Sequence, residues 1–242
     1  MSSEEGKSLE SFFVLLEKKL RENAKVTNLE ARINARVPVL CFSFENEGKK
    51  ISFDVVNQRG KERKHQIQIT EYVLSLKKSC HFETVARIIK IWAKKKRINE
   101  ARENTLPSIA YLVMLQNVVE EEKEYVDKLS SIEKKSHLIS SYLLLSFFNK
   151  FSFWPTSQIV RTRDCVGSEN SDLLFKIGEK QDIHNEGFGV TLFVQDPFLE
   201  EINLARFVTT SSFQTKIKPS FEEAVEILFE SKNGERIKRL LL

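Results

Sequence analysis

Cysteine and histidine are scarce in this sequence. Its 242 residues include three cysteines, Cys41, Cys80 and Cys165, and four histidines. The cysteines form no CxxC pair and their number is odd, which fits a reducing compartment better than a disulfide framework. The histidines show none of the spacings typical of metal ligands. The composition therefore disfavours a disulfide-stapled scaffold and excludes a zinc module built on such spacings.

Long apolar runs and a strong net charge are also lacking. No apolar run reaches the roughly 18 residues of a membrane helix, and the acidic start MSSEEGKSLE is unlike a secretory or mitochondrial leader. The 38 Lys and Arg exceed the 34 Asp and Glu by only +4, so the overall charge does not indicate nucleic-acid binding. We expect a globular protein of the cytoplasm or nucleus, with a sizeable core and no membrane partner.

The hydrophobic patterns predict a helix, a piece of sheet, a helical block and then mixed structure. Apolar residues recur at helical spacing after Ser8, and the first 34 residues read as helix. Two alternating segments, ARVPVLCFSFE and KKISFDVV, predict a hairpin joined at Asn46 to Gly48. Helical stripes return from about Ile67 to Lys150, followed by short strand-like pieces and a final helix, FEEAVEILFESK. Two strands alone do not make a stable sheet, so the sheet reads as incomplete.

Two polar features interrupt these patterns. Asp54 lies inside an apolar strand-like run, where a carboxylate loses hydration, so it either ends the strand or binds something. Lys90, Lys94 and Arg97 are spaced at i, i+4 and i+7, and ammonium groups one turn apart can reach successive phosphates of a triphosphate. The alternatives are an Asp at a strand end and a solvated helix face whose cations favour the helix C-terminus.

Five sequence blocks follow one another between Ala35 and Val208: ARVPVLCFSF, ISFDVVN, VARIIKIWAKKKRINEARENTLPSIAYLVML, LLLSFFNKFSFW and DPFLEEINLARFV. Together they resemble the noncanonical poly(A) polymerases and terminal uridylyltransferases of the DNA polymerase β-like nucleotidyltransferase superfamily. The resemblance implies an α+β fold. Residues 1–66 would form a partial nucleotidyltransferase palm with an N-terminal helix and a two-stranded sheet remnant. Residues 67–242 would form a mostly helical poly(A)-polymerase-associated central domain with a nucleotide-recognition loop.

The resemblance assigns Asp54 as a catalytic metal ligand. Members of the family carry three carboxylates on the palm sheet, two in a DxD after a Gly-Ser turn and the third on a neighbouring strand, and these hold two Mg²⁺ ions. Asp54 in ISFDVVN matches the third carboxylate, but the first 34 residues contain no Asp. The late segment VGSENSDLLF imitates the turn with Ser171 and Asp172 but lacks a second Asp. Glu45 and Glu47 flank a hairpin turn, where charge is routine.

The resemblance also assigns a nucleotide-binding set. Lys90, Lys94 and Ser108 match residues that members direct at the triphosphate of the substrate. Ile109 takes the place of a Tyr that usually stacks on the base, which forfeits about 1–3 kcal/mol of stacking energy. Ile69 replaces an Asn that contacts the ribose. An active chain would use a nucleoside triphosphate as substrate with Mg²⁺ or Mn²⁺ as cofactor.

The segment DPFLEEINLARFV matches the nucleotide-recognition loop of the family. Asp196, Asn203 and Arg206 are the matching residues, and the resemblance assigns them to nucleotide binding. Leu199 replaces a Glu that is common in uridylyltransferases, and Ile202 replaces a His that favours uridine in some members. These differences remove support for uridine selectivity, and they favour neither ATP nor UTP. The structural alternative is a loop in which Asp196 turns the chain and Arg206 pairs locally.

Three interpretations follow. In the first, the chain is an RNA 3′-terminal nucleotidyltransferase whose DxD lies in an upstream segment. In the second, it is an inactive pseudoenzyme that serves as a scaffold or partner subunit in RNA processing. In the third, only the fold is shared, and a basic face from Lys90 to Arg102 binds RNA. The substitutions at Ile69 and Ile109 favour impaired catalysis. An RNA 3′ end and a protein partner or second copy that covers the incomplete sheet are the expected partners.

Overall fold

The computed structural model describes residues 4–32, 38–56, 60–77, 79–131, 136–154, 159–162, 192–199, 202–230 and 236–241. Contacts group the chain into two compact units, Met1–Ile67 and Gln68–Leu242. The assignment of residues 1–66 and 67–242 to a palm and a central domain remains a prediction. Ser171 and Asp172 lie outside the described residues, so the Gly-Ser-like segment around them is untested.

The described part of unit 1, residues Met1–Ile67, contains an N-terminal helix, a three-stranded antiparallel sheet and the first residues of a second helix. The helix α1 spans Glu4–Arg21, and the strands are β1 (Val26–Arg32), β2 (Val39–Asn46) and β3 (Lys49–Val56), in the spatial order β1-β2-β3. The helix packs against β1. Leu40 of β2 and Phe13 of α1 are buried, so the helical and the alternating pattern both contribute apolar residues to the interior of this unit.

The strand β1 corrects the prediction from sequence. The apolar pattern predicts helix through residue 34, but α1 ends at Arg21 and Val26–Arg32 form a third strand. The pairing of β1 with β2 shifts register between Thr27 and Glu30, and Asn28 has a φ of 55°. A bulge of this kind interrupts the alternation of side chains. The strand therefore lacks the regular period of two by which a strand is recognised in a sequence.

The hairpin of β2 and β3 confirms the prediction. The two strands pair along their length and end with Asn46 opposite Lys49. The two residues of the turn, Glu47 and Gly48, have φ values of 50° and 72°. Positive φ at both central residues is the requirement of a type I′ turn, and its twist matches that of the two strands. Glycine adopts this conformation without a steric penalty.

Unit 2, residues Gln68–Leu242, is mainly helical. The helix α2 (Gly60–Leu76) begins in unit 1 and ends in unit 2. The following described helices are α3 (Cys80–Lys95), α4 (Ser108–Glu121), α5 (Lys123–Ser130), α6 (Ser136–Ser152), α7 (Lys218–Glu230) and α8 (Arg236–Leu240). Shorter segments are a 3₁₀ turn at Ala101–Glu103, a helical turn at Thr210–Ser212 and a π-helical segment at Phe213–Ile217. The two-residue strands β4 (Ile159–Val160) and β5 (Phe193–Val194) pair in parallel.

An aromatic cluster sets the orientation of α3. The fully buried ring of Trp92 meets Phe148 of α6 and Phe221 of α7 edge-on, at centroid distances of 4.7 and 4.9 Å. Because this face of the helix is held in the core, Lys90 and Lys94 on the other side are exposed. The packing of the helix thus presents its basic side chains to solvent.

The predicted α+β class is confirmed, since helices predominate and the main sheet is small. Among the described helices, none combines the length and the apolar character needed to cross a membrane.

Candidate nucleotide-binding site

A cavity of about 240 Å³ in unit 2 gathers residues that are far apart in the sequence. Its lining includes Ile69 from α2, Lys90 from α3, Asn99 from the connection between α3 and α4, and Ser108 and Ile109 from the start of α4. Most of the wall is apolar, and a few polar groups lie along it. A small number of polar groups in an apolar cavity is typical of a small-molecule site.

The two predicted triphosphate lysines differ in position. Lys90 lines the cavity, whereas Lys94 lies one helical turn further along the exposed side of α3. Neither has an ion-pair partner among the residues that the structure describes. The nearby Lys96 differs, because its Nζ donates to both carboxylate oxygens of Glu223 at 2.8 and 2.7 Å. The ammonium groups of Lys90 and Lys94 are therefore available to an anion.

Arg97 does not belong to this basic row, and the prediction of a third helical position is wrong. The helix ends at Lys95, and Arg97 has a φ of 55°. Its N–H donates to the carbonyl of Lys94 at 3.1 Å, and the N–H of Ile98 donates to Ala93 at 3.0 Å. These two bonds are those of a Schellman motif, with Arg97 in the left-handed position that glycine usually takes. Without a glycine, the sequence carries no clear signal for this helix end.

Ser108 is the first residue of α4, where the helix adds partial positive charge to the cavity wall. Its Oγ lies 3.4 Å from the Nδ2 of Asn99, which donates to it. Helix N-termini and cationic side chains both favour bound phosphate. Asn99 was not predicted from the sequence, because no spacing distinguishes it in the segment RINEAR. Only the folded chain brings it to Ser108.

The apolar part of the cavity includes the two isoleucines that replace polar or aromatic residues of the similar family. Ile69 and Ile109 are half-buried there. Tyr111 also lines the cavity, but its hydroxyl donates to the carbonyl of Ile98 at 2.6 Å and burial raises its pKa well above the ordinary value. Its ring also packs edge-on against Trp92, at 6.3 Å between centroids. Tyr111 is therefore a core residue and does not replace the missing stacking Tyr.

The predicted nucleotide-recognition loop is organised by Asp196. Its side chain is buried, and its Oδ1 accepts hydrogen bonds from the N–H groups of Phe198 and Leu199 at 2.9 and 3.1 Å. An Asp that bonds to the backbone two and three residues onward forms a turn of the Asx type. The carboxylate thus stabilises the turn, and its contact with a nucleotide remains a prediction.

Asn203 closes the same loop. Its Oδ1 accepts from the N–H groups of Val194 and Ala205 at 3.0 and 2.8 Å, and its Nδ2 donates to the carbonyl of Leu192 at 3.0 Å. All three bonds are buried, so the amide connects β5 to the far side of the loop. This arrangement supports the alternative in which the polar residues of the loop have a structural role. A role of Asn203 in nucleotide binding remains a prediction.

The loop also contacts a helix that lines the cavity. The ring of Phe198 meets Tyr72 edge-on at 6.0 Å between centroids, and Tyr72 lies on α2 one turn from Ile69. Arg206 is exposed and its guanidinium stacks over the ring of Phe207 at 4.7 Å. The loop is therefore anchored beside the cavity wall, with the charge of Arg206 at the surface.

Asp54 lies in unit 1 and is exposed on β3, opposite Cys41 of β2. Glu30 of β1 faces Cys41 from the other side. The pKa of the Cys41 thiol is raised, mainly by burial and to a lesser degree by a hydrogen bond with Asp54. The guanidinium of Arg32 donates to both carboxylate oxygens of Glu30, at 2.5 and 2.7 Å, and these bonds lower the pKa of Glu30.

These residues do not fit a two-metal site by themselves. Within the described ranges, no three potential ligands gather at one place. Glu30 is engaged by Arg32, and the thiol next to Asp54 is a soft ligand that suits Mg²⁺ poorly. A magnesium site at Asp54 therefore needs carboxylates that the described residues do not supply.

In its fold, this chain is similar to solved structures of RNA-tailing polymerases. The chain is similar to Cid1 poly(U) polymerase, with a TM-score of 0.66 and 17% identity over 96% of this chain and 77% of that one. For a cytoplasmic RNA terminal U-transferase the TM-score is 0.63 at 19% identity, covering 95% and 76% of the two chains. For mtPAP in complex with UTP it is 0.63 at 12% identity, covering 96% and 51%.

The comparisons confirm the predicted resemblance at the level of the fold. No protein-family model matches the chain, and the comparison with curated proteins also found no match. A fold of this kind accommodates different activities, so function has to be argued from the site.

Proposed function

We propose that this chain is a nucleotide-binding member of the RNA 3′-terminal nucleotidyltransferase class, of the poly(A) or poly(U) polymerase kind. The observation that carries the proposal is the convergence of Lys90, Ser108 and Ile109 on one cavity. Lys90 and Lys94 bind the triphosphate, assisted by Ser108 and Asn99 at the start of α4. The acceptor is an RNA 3′ end, in keeping with the Cid1 structures with a UTP analogue and with the short product ApU.

The cavity binds the base through apolar contact. Ile69 and Ile109 have no hydrogen-bonding groups on their side chains, and they pack on any base with little discrimination. Selectivity for a base normally requires polar groups that are left unpaired by the wrong partner. We therefore infer that ATP, UTP, GTP and CTP bind with similar affinity.

Isothermal titration of the purified chain with each of the four nucleoside triphosphates tests this proposal. We expect all four to bind with dissociation constants within about fivefold of one another. Inorganic triphosphate is expected to compete, because the lysines contribute most of the binding energy. The matched control is the corresponding nucleoside, which lacks the phosphates and is expected to bind far more weakly. The proposal fails if none of the four nucleotides binds.

Nucleotide transfer requires Mg²⁺ or Mn²⁺ and carboxylates that accompany Asp54. Extension of a labelled RNA by the same preparation separates a transferase from a nucleotide-binding scaffold. Extension that disappears in Asp54→Ala supports a transferase. Binding without extension, with either metal ion, supports the pseudoenzyme interpretation.

Replacing Ile109 by tyrosine is expected to strengthen nucleotide binding. Ile109 is half-buried in the cavity, in the first turn of α4, and an aromatic ring there can stack on the base. Stacking contributes about 1–3 kcal/mol per base, so Ile109→Tyr should lower the dissociation constant for ATP or UTP by about tenfold. Ile109→Leu, which keeps an aliphatic side chain of equal size, should leave it unchanged. Equal affinities of the Tyr and Leu variants would contradict base binding at this wall.

A further inference from the structure

The outer edge of β3 is an unpaired feature of unit 1. Among the described residues, no strand pairs with the side of β3 that faces away from β2. Ile51, Phe53 and Val56 on this strand are 51%, 42% and 49% exposed. Proteins usually cover a strand edge that carries apolar side chains, because it otherwise pairs with another chain.

The backbone pairing shows which groups lie along this edge. The N–H of Glu45 donates to the carbonyl of Lys25 at 2.9 Å, so the backbone of Glu45 is turned away from β3. Glu45 is opposite Lys50 in the hairpin. Because bonded and non-bonded pairs alternate in an antiparallel ladder, Lys50, Ser52 and Asp54 direct their N–H and C=O groups to the outer edge.

The side chains along this edge are self-complementary. When two β3 strands are placed antiparallel about Ser52, Lys50 lies opposite Asp54 of the partner subunit, and the two-fold axis repeats the pair. Ile51 then lies opposite Phe53 of the partner subunit, on the other face. Opposite charges and apolar side chains in directly opposed positions both stabilise a pair of strands.

Neighbouring registers lack this match. Centring the two strands on Lys50 or on Asp54 places like charges opposite each other, which is destabilising. Centring them on Ile51 or on Phe53 leaves Lys50 and Asp54 opposite neutral residues. Among these five registers, only the one centred on Ser52 places Lys50 and Asp54 opposite residues of opposite charge, and it also joins outward-facing backbone groups.

We propose that β3 pairs antiparallel with β3 of a second copy of this chain, in the register centred on Ser52, and joins the two sheets into one. The proposal concerns unit 1 and does not rest on the nucleotide cavity of unit 2. In the paired state an ammonium group lies opposite Asp54. The dimer is therefore expected to bind nucleotide in unit 2 without the use of Asp54.

Sedimentation equilibrium over micromolar concentrations, with reciprocal charge variants, tests the register. We expect a reversible monomer–dimer equilibrium for the original chain. Asp54→Lys places Lys opposite Lys50, and Lys50→Asp places Asp opposite Asp54, so each single variant should weaken the dimer by about tenfold. The double variant restores opposite charges and should return the dissociation constant to within about threefold of the original. A monomer at every concentration, or a double variant weaker than both single variants, would overturn the proposal.

A proline substitution tests the hydrogen bonds of the strand edge separately from the charged side chains. Ser52→Pro removes an outward N–H while the ladder to β2 keeps its hydrogen bonds, since proline is tolerated at such edge positions. We expect it to abolish the dimer, with the far-ultraviolet circular dichroism unchanged. The control is Phe153→Ser, which removes an aromatic side chain that is 78% exposed in unit 2 and should leave the dimer intact. If Phe153→Ser dissociates the dimer and a folded Ser52→Pro does not, the proposal is wrong.

Discussion

The double substitution Lys90→Ala/Lys94→Ala is expected to lower the affinity for ATP and UTP by about a hundredfold or more. A hydrogen bond to a charged group contributes about 1.5–3 kcal/mol, and two such bonds to a triphosphate account for a loss of this size. Both side chains are exposed on α3, opposite the face that Trp92 anchors in the core. The thermal midpoint should therefore change little, and titration calorimetry of the folded variant measures the loss directly.

The chain offers a matched control for this experiment on the same helix. Lys95 is also exposed and does not line the cavity, so Lys95→Ala removes one positive charge from the same helix without removing a proposed phosphate contact. We expect its affinity to stay within about twofold of the original, because screening weakens the effect of surface charges. An equal loss in Lys95→Ala and in the double variant would favour a diffuse basic face over a defined triphosphate site.

The substitution Asn203→Ala is expected to reduce the free energy of unfolding by about 3 kcal/mol or more. The amide makes three buried hydrogen bonds, to Leu192, Val194 and Ala205. Truncation leaves three backbone groups without partners, and each unsatisfied buried group costs about 1–3 kcal/mol. Urea unfolding followed by tryptophan fluorescence gives the difference from the shift of the transition midpoint.

Asn149→Ala provides the comparison for Asn203→Ala. Asn149 lies on α6 with an exposed side chain, so the free energy of unfolding should change by no more than about 0.5 kcal/mol. The two variants also separate the roles proposed for the loop. If Asn203→Ala were as stable as the original chain but lost nucleotide affinity, the amide would be a ligand contact and its structural role would be refuted.

Local regularity explains which parts of the fold were predictable. The hairpin was predicted because two alternating segments flank a short turn that contains Gly48, and a two-residue loop permits little else. The strand β1 was read as helix because the irregularity between Thr27 and Glu30 removes its alternation. Arg97 was placed on the helix because no glycine marked the helix end, although a Schellman motif forms there.

The residues of the candidate site were likewise predictable only in part. Resemblance in the sequence assigned Lys90 and Ser108 to the nucleotide and placed Ile109 where a stacking Tyr is usual, and these three residues line one cavity. Asn99 was missed, since its contact with Ser108 depends on the path of the chain between α3 and α4. The contact between Phe198 and Tyr72 likewise joins segments that no local pattern relates.

By itself, the sequence determined the amphipathic character of α3, with Trp92 on its apolar face and Lys90 and Lys94 on its basic one. A repeat of 3.6 residues is a property of the local chain, and burial of the apolar face follows from it. Only the tertiary structure decided that the cavity exists, and that the polar groups of Asp196 and Asn203 hold the loop together. The hydrogen-bond partners and walls involved come from distant segments, and their positions are set by the packing of the whole unit.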